Sequence, residues 1–326
     1  MTNAHDEAEG CFSLRLAVKI VNIMQEGYIP VEGGKVWYRI HGQGKKGLPL
    51  LLLHGGPGAT HDYMEPLSKL SSDRPVIFYD QLGGGNSDRP QDNGLWNLGR
   101  FIKEVGQVRS ALRLDKLHIL GVSWGTMLAV SYVLEKGQDG IASMVLSGPA
   151  LSASRFTKDT RKYILELSEN DQRIIKKSEA EGKFDSPEYD KAVENLYKIC
   201  VCRLDPWPEC LKTTFKKVGK QVYNHMWGPS EFTVTGTLSG FDVTERLPEI
   251  KVPVLFTCGR YDEASPEATK YYSSLIESSE AVIFEEASHT HYLERIEDYI
   301  NVVGGFLRRV ENKTGPLKAD EHVKII

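Results

Sequence analysis

Short apolar runs recur along the chain, each bounded by glycine, proline or charged residues, and apolar positions at helical spacing fall between them. Residues 28–31 and 35–40 flank Glu32-Gly33-Gly34 and predict a hairpin. Leu50–Leu53 is too short for a helix and ends at glycines, so it predicts a buried strand, with Val76–Tyr79 as the next. Leu98, Phe101, Ile102, Val105, Val108 and Leu112 share one face of a predicted helix. Residues 117–120 predict a strand, 127–130 lie in a helix, and 144–146 predict another strand. Such alternation is the signature of a mostly parallel central sheet flanked by helices on both faces.

The rhythm changes over residues 151–238. This stretch has few strand-like runs and much charged, helix-like sequence, with amphipathic helices predicted around Tyr163-Ile164-Leu165 and over 192–199. It is expected to form a helical cap inserted into a core built from 1–150 and 239–326. Strands resume at 252–256 and 281–284, a closing helix is predicted over 292–310, and the tail after Gly315 is expected to be loosely held.

Composition narrows the function classes. The 326 residues carry 40 Lys and Arg against 44 Asp and Glu, a formal charge of −4. The signs are well mixed, which argues against a nucleic-acid or membrane-surface partner. No apolar run reaches the ~18–20 residues of a membrane span. The acidic start Met1-Thr2-Asn3-Ala4-His5-Asp6-Glu7 lacks the layout of a signal peptide, so a cytoplasmic protein is expected. Cys200, Cys202 and Cys210 cluster, but without the paired spacing of a zinc site, and are read as reduced thiols.

Three motifs carry chemistry. Gly121-Val122-Ser123-Trp124-Gly125 follows a predicted strand and opens a helix. A serine on that tight turn is lifted clear of the sheet at a helix N-terminus, where developing negative charge is favoured. His54-Gly55-Gly56-Pro57-Gly58 follows the leucine strand. Acyl transfer produces an oxyanion that needs two aimed donors, and the N–H groups of Gly56 and Trp124 are the candidates. Beyond the insertion, Asp262 and then His289 follow strands, in the order Ser, acid, His that this arrangement requires. Histidine takes the serine proton and the acid holds its tautomer. Asp80 and Asp242 are weaker acids by position. His291 is the rival base, and His289 is preferred as nearer the strand end. His289-Thr290-His291 has no third ligand at useful spacing, so neither metal nor cofactor is expected. His54 is expected to shape its loop.

These motifs, with Asp80-Gln81-Leu82-Gly83-Gly84-Gly85-Asn86-Ser87, Met226-Trp227-Gly228-Pro229-Ser230-Glu231-Phe232 and Tyr261-Asp262-Glu263, resemble the proline iminopeptidase family of serine aminopeptidases on the α/β-hydrolase fold. Amino-acid amidases share much of the pattern. The resemblance spans most of residues 28–310, and departs from the family's common pattern at Gly83–Asn86 and after His289. It implies removal of an N-terminal residue, proline among the candidates, from short peptides or amino-acid amides by an enzyme read as a monomer. It also implies that Glu231 and Glu263 receive the substrate's free amine, because a buried ammonium demands a carboxylate. The alternatives are an amidase, esterase or lactonase with the same triad, and a non-catalytic receptor on the same fold.

Overall fold

The computed structural model describes residues 25–314 and 323–325. The acidic start at Met1 and the tail at 315–322 and 326 lie outside the described residues. The chain opens with strands β1 (Gln25–Val31), β2 (Gly34–His41), β3 (Leu50–Leu53) and β4 (Val76–Tyr79). Next come α1 (Leu98–Ala111), β5 (Leu117–Val122), α2 (Trp124–Lys136) and β6 (Ile141–Ser147). Five helices follow before the sheet resumes: α3 (Ala153–Ile164), α4 (Glu169–Glu181), α5 (Pro187–Cys200), α6 (Glu209–Lys217) and α7 (Lys220–Met226). The chain closes with β7 (Val254–Gly259), α8 (Pro266–Ser274), β8 (Ser279–Phe284), α9 (His291–Glu294), α10 (Ile296–Asn312) and β9 (Val323–Ile325).

The strands form one sheet in the order β1-β2-β4-β3-β5-β6-β7-β8-β9. The block from β4 to β8 is parallel, and β1, β2 and β9 add antiparallel edges. Alternation along the apolar strands sorts side chains between two layers. Leu51, Leu53, Ile77 and Tyr79 join the core beneath α1, α2 and α8, while Leu50, Leu52, Val76 and Phe78 join the core beneath α10. Strand order reverses at β3, with β4 on one side and β5 on the other. In open parallel sheets, ligands bind at the carboxyl ends beside such a reversal.

Several elements differ from expectation, among them β9, which lies within the tail expected to be loosely held and pairs with β8. The strand predicted over 252–256 starts at Val254 and runs to Gly259. Pro253 has no N–H for a ladder, and the Val252 N–H donates to the Gln138 side chain at 3.1 Å. The closing helix is two helices that meet at Arg295, whose φ of −130° and ψ of 50° break helical geometry. A 3₁₀ helix over Asp62–Ser72 was not predicted. Its buried Tyr63, Met64, Leu67 and Leu70 have helical spacing, masked in the sequence by Pro66. Cys200, Cys202, Cys210 and Cys258 are all free thiols.

Candidate active site

Ser123 sits between β5 and α2, near the centre of the sheet. Its φ of 54° and ψ of −121° put a non-glycine residue in the left-handed half of backbone space, a strain found at functional turns. The flanking glycines are required by close approach. A Cβ on Gly125 would lie 2.0 Å from the Leu53 carbonyl oxygen, and one on Gly121 would lie 2.3 Å from that of Gly125. Strand, turn and helix close on each other only without those side chains. As the first residue of α2, Trp124 has an N–H with no acceptor inside the helix.

The loop after β3 is held from below. His54 Nε2 accepts from the Gln81 N–H at 2.9 Å, so its proton lies on Nδ1, 2.9 Å from the Gly55 carbonyl. Burial lowers the His54 pKa, consistent with this neutral, structural role. The Gly55 N–H donates to Tyr63 Oη at 2.7 Å. The Gly56 N–H has no acceptor among the described residues. Gln81 joins the two halves of the candidate oxyanion site, its Nε2 donating to the His54 carbonyl at 3.0 Å and its Oε1 accepting from Trp124 Nε1 at 2.8 Å.

Asp262 follows β7 and is wholly buried. One carboxylate oxygen accepts from the Ala264 N–H at 2.8 Å and the other from the Gly259 N–H at 3.3 Å. His289, on the loop after β8, places Nδ1 2.7 Å from Asp262 Oδ1. Its ring lies against Gly148, where a Cβ would come within 2.5 Å of it. His291 is separated from it by geometry. That ring is stacked on Phe284, bonded through Nε2 to Thr257 Oγ1 at 2.9 Å, and only 3.8 Å from Asp262. Burial pushes the His291 pKa down to about 4. The other acids are engaged elsewhere: Asp80 accepts from the His61 N–H at 2.7 Å and meets His61 Nδ1 at 2.8 Å, and Asp242 accepts from Thr244 at an exposed turn.

Gly56, Ser123, Glu231, Glu263 and His289 line one cavity of about 940 Å³ between the carboxyl ends of the strands and helices α5, α6 and α7. Glu231 Oε1 accepts from Tyr223 Oη at 2.7 Å. Burial raises the Glu231 pKa, opposed by the Tyr223 hydrogen bond and by His289. Burial and then the Glu231 charge raise that of Glu263 well above the ordinary range. Burial opposes charge on His289, but Asp262, Glu263 and Glu231 together push it up to about 9.

The family model for the alpha/beta hydrolase fold matches residues 49–296. The proline iminopeptidase of Heyndrickxia coagulans is 46% identical over 87% of this chain and 99% of its own. The chain belongs to the proline iminopeptidase family of the α/β-hydrolase fold. Among solved structures, VinJ matches with a TM-score of 0.83 at 32% identity, over 88% of this chain and 99% of that one. The proline iminopeptidase of Mycobacterium smegmatis gives 0.81 at 29%, over 89% and 99%. The family makes the protein a serine hydrolase. Among the described residues, no helix is long and apolar enough to cross a membrane.

Some contributors to this family site carry no motif of their own. The His289 and Thr290 N–H groups donate to the carbonyls of Cys200 and Val201 at 3.0 and 2.8 Å, which ties the base's loop to the end of α5. Tyr163 Oη reaches the Asp262 carbonyl at 3.4 Å. Gln81 belongs to the Asp80–Ser87 motif, but its reach to both loops arises only in the folded chain. The one signal for these residues is a polar side chain or chain end expected in a buried place, which a sequence does not display.

Proposed function

We propose that the protein is a serine aminopeptidase that releases an N-terminal residue, proline foremost, from short peptides or amino-acid amides. Ser123 attacks the carbonyl carbon. His289 takes the hydroxyl proton and passes it to the leaving amine, and Asp262 holds its tautomer. The N–H groups of Gly56 and Trp124 receive the oxyanion. Water then frees the acyl-enzyme. Residues 151–238 act as a cap over a core of 1–150 and 239–326, a reading supported by their own small apolar cluster around Tyr189, Leu196 and Phe232.

The observation that carries this reading is the pair of half-buried Glu231 and buried Glu263 in the cavity that Ser123 lines, with no Lys or Arg ion-pair partner among the described residues. Two carboxylates drawn out of water without a cation are costly and suit a ligand that brings one. A prolyl amine is a secondary ammonium with two N–H donors, one for each carboxylate. A primary ammonium has a third donor to satisfy. We read the enzyme as acting as a monomer in the cytoplasm, which light scattering and cell fractionation test.

The decisive assay compares prolyl, alanyl, leucyl and phenylalanyl p-nitroanilides with free and acetylated amines. Free amines are expected to be cleaved about a hundredfold faster or more, in line with the cost of leaving a buried charge unpaired. Equal rates on free and blocked substrates overturn amine recognition and favour an esterase or general amidase.

A further inference from the structure

The candidate base is flanked by a carboxylate at each ring nitrogen. Asp262 Oδ1 is 2.7 Å from Nδ1 of His289, and Glu263 Oε1 is 3.7 Å from Nε2. Nε2 is the nitrogen that must take the Ser123 proton, because Nδ1 is engaged. Burial and the Glu231 charge favour a neutral Glu263, while the charge on His289 opposes them, so His289 and Glu263 titrate as a pair; with the shared proton on Nε2, the imidazolium has no lone pair left to accept the serine proton. The second Glu263 oxygen, Oε2, is buried and unpartnered among the described residues. Glu231 adds a third carboxylate to the corner, with Tyr223 on one oxygen. Lys183 and Lys220 line the wider cavity, but among the described residues no Lys or Arg forms an ion pair with Glu231, Asp262 or Glu263. Tyr163 on α3 donates to the Asp262 backbone, the Cys200 thiol on α5 is held neutral by burial, and His291 behind Asp262 is held neutral the same way.

We propose that Glu263 parks His289 as an imidazolium in the empty enzyme, and that the substrate's ammonium releases it. This rests on the amine-recognition reading above and gives Glu263 a second part in it. An ammonium between Glu231 and Glu263 supplies the positive charge that the carboxylates otherwise draw from His289. The Nε2 proton then leaves to solvent, one proton for each amine bound. The freed lone pair takes the Ser123 proton as the serine oxygen attacks the carbonyl carbon. A neutral ester brings no charge, leaves the imidazolium in place, and reacts only as pH rises. Selectivity for a free amine therefore enters kcat as well as binding.

The signs follow from the raised His289. For a neutral ester such as p-nitrophenyl acetate, kcat/KM of the wild type rises as pH climbs through about 9. In Glu263→Gln the charge at Nε2 is gone. That limb is expected to move down by about one pH unit or more, raising ester turnover at neutral pH about tenfold, while cleavage of prolyl p-nitroanilide falls. A variant that merely folds badly loses both activities and gains neither. An unmoved limb with ester turnover intact overturns the proposal.

A second measurement needs no change at Glu263. In Ser123→Ala, the NMR titration midpoint of His289 is followed with and without L-prolinol, an amine with no scissile bond. The midpoint is expected to fall when L-prolinol binds, and an unchanged midpoint with L-prolinol bound overturns the switch. Failure of the parent reading looks different: L-prolinol does not bind, and free and blocked anilides are cleaved alike.

Discussion

The cavity has two walls of different origin. On the sheet wall, Gly56, Ser123 and His289, with Asp262 buried behind His289, each follow the carboxyl end of a parallel strand, β3, β5, β7 or β8. On the facing wall, Tyr197, Tyr223 and Glu231 come from the segment between β6 and β7, which packs around its own apolar cluster. In the proposed mechanism the sheet wall carries groups that must hold fixed geometry, and the strands that bear them are buried throughout β3, β5 and β7. In the same proposal the facing wall carries groups that choose a substrate. Glu263 belongs to the sheet by sequence and to recognition by its place in the cavity, and it links the two.

Substitutions on each wall test this division. Ser123→Ala should abolish turnover of free-amine anilides and neutral esters alike, by about a millionfold in kcat, as when a triad nucleophile is removed. Single-turnover assays with both substrates check it, and activity retained on either places the chemistry elsewhere. Glu231→Gln should lower kcat/KM on free-amine anilides by about a hundredfold or more while ester turnover does not fall. A parallel fall on both substrates would erase the distinction between the walls. Gln81→Met removes the link between the loop of Gly56 and the helix of Trp124. It should cost about tenfold to a hundredfold in kcat on both substrates, with KM near wild type. A loss confined to KM would move Gln81 from positioning the oxyanion donors to shaping the pocket.

The same division explains what the sequence disclosed. Alternating apolar strands, the glycines around Ser123 and the order Ser123, Asp262, His289 all leave local traces. A residue that two backbones crowd must be glycine, and a strand buried on both faces must be apolar. Nearness to a strand end favours His289 over His291 in the sequence; in the structure Asp262 bonds the His289 ring, while Thr257 and Phe284 hold that of His291. The helix over Asp62–Ser72 was obscured because Pro66 reads as a breaker, although the apolar spacing continues through it. In the 151–238 segment, Glu231 was legible only through family resemblance. Its partner Tyr223 lies on a different element, and pairings of that kind depend on how helices dock and not on spacing along the chain.

The two hydrogen bonds from the end of α5 to His289 and Thr290 make the segment over the cavity a mechanical part of the base. A displacement of Cys200 or Val201 would strain both hydrogen bonds and so bear directly on the loop that carries the imidazole. A change in chain length at that junction would be felt by the smallest ester, which touches none of the helices above it. The lid and the engine share a mounting, so a new substrate range reached by rebuilding the helices must keep that mounting in place.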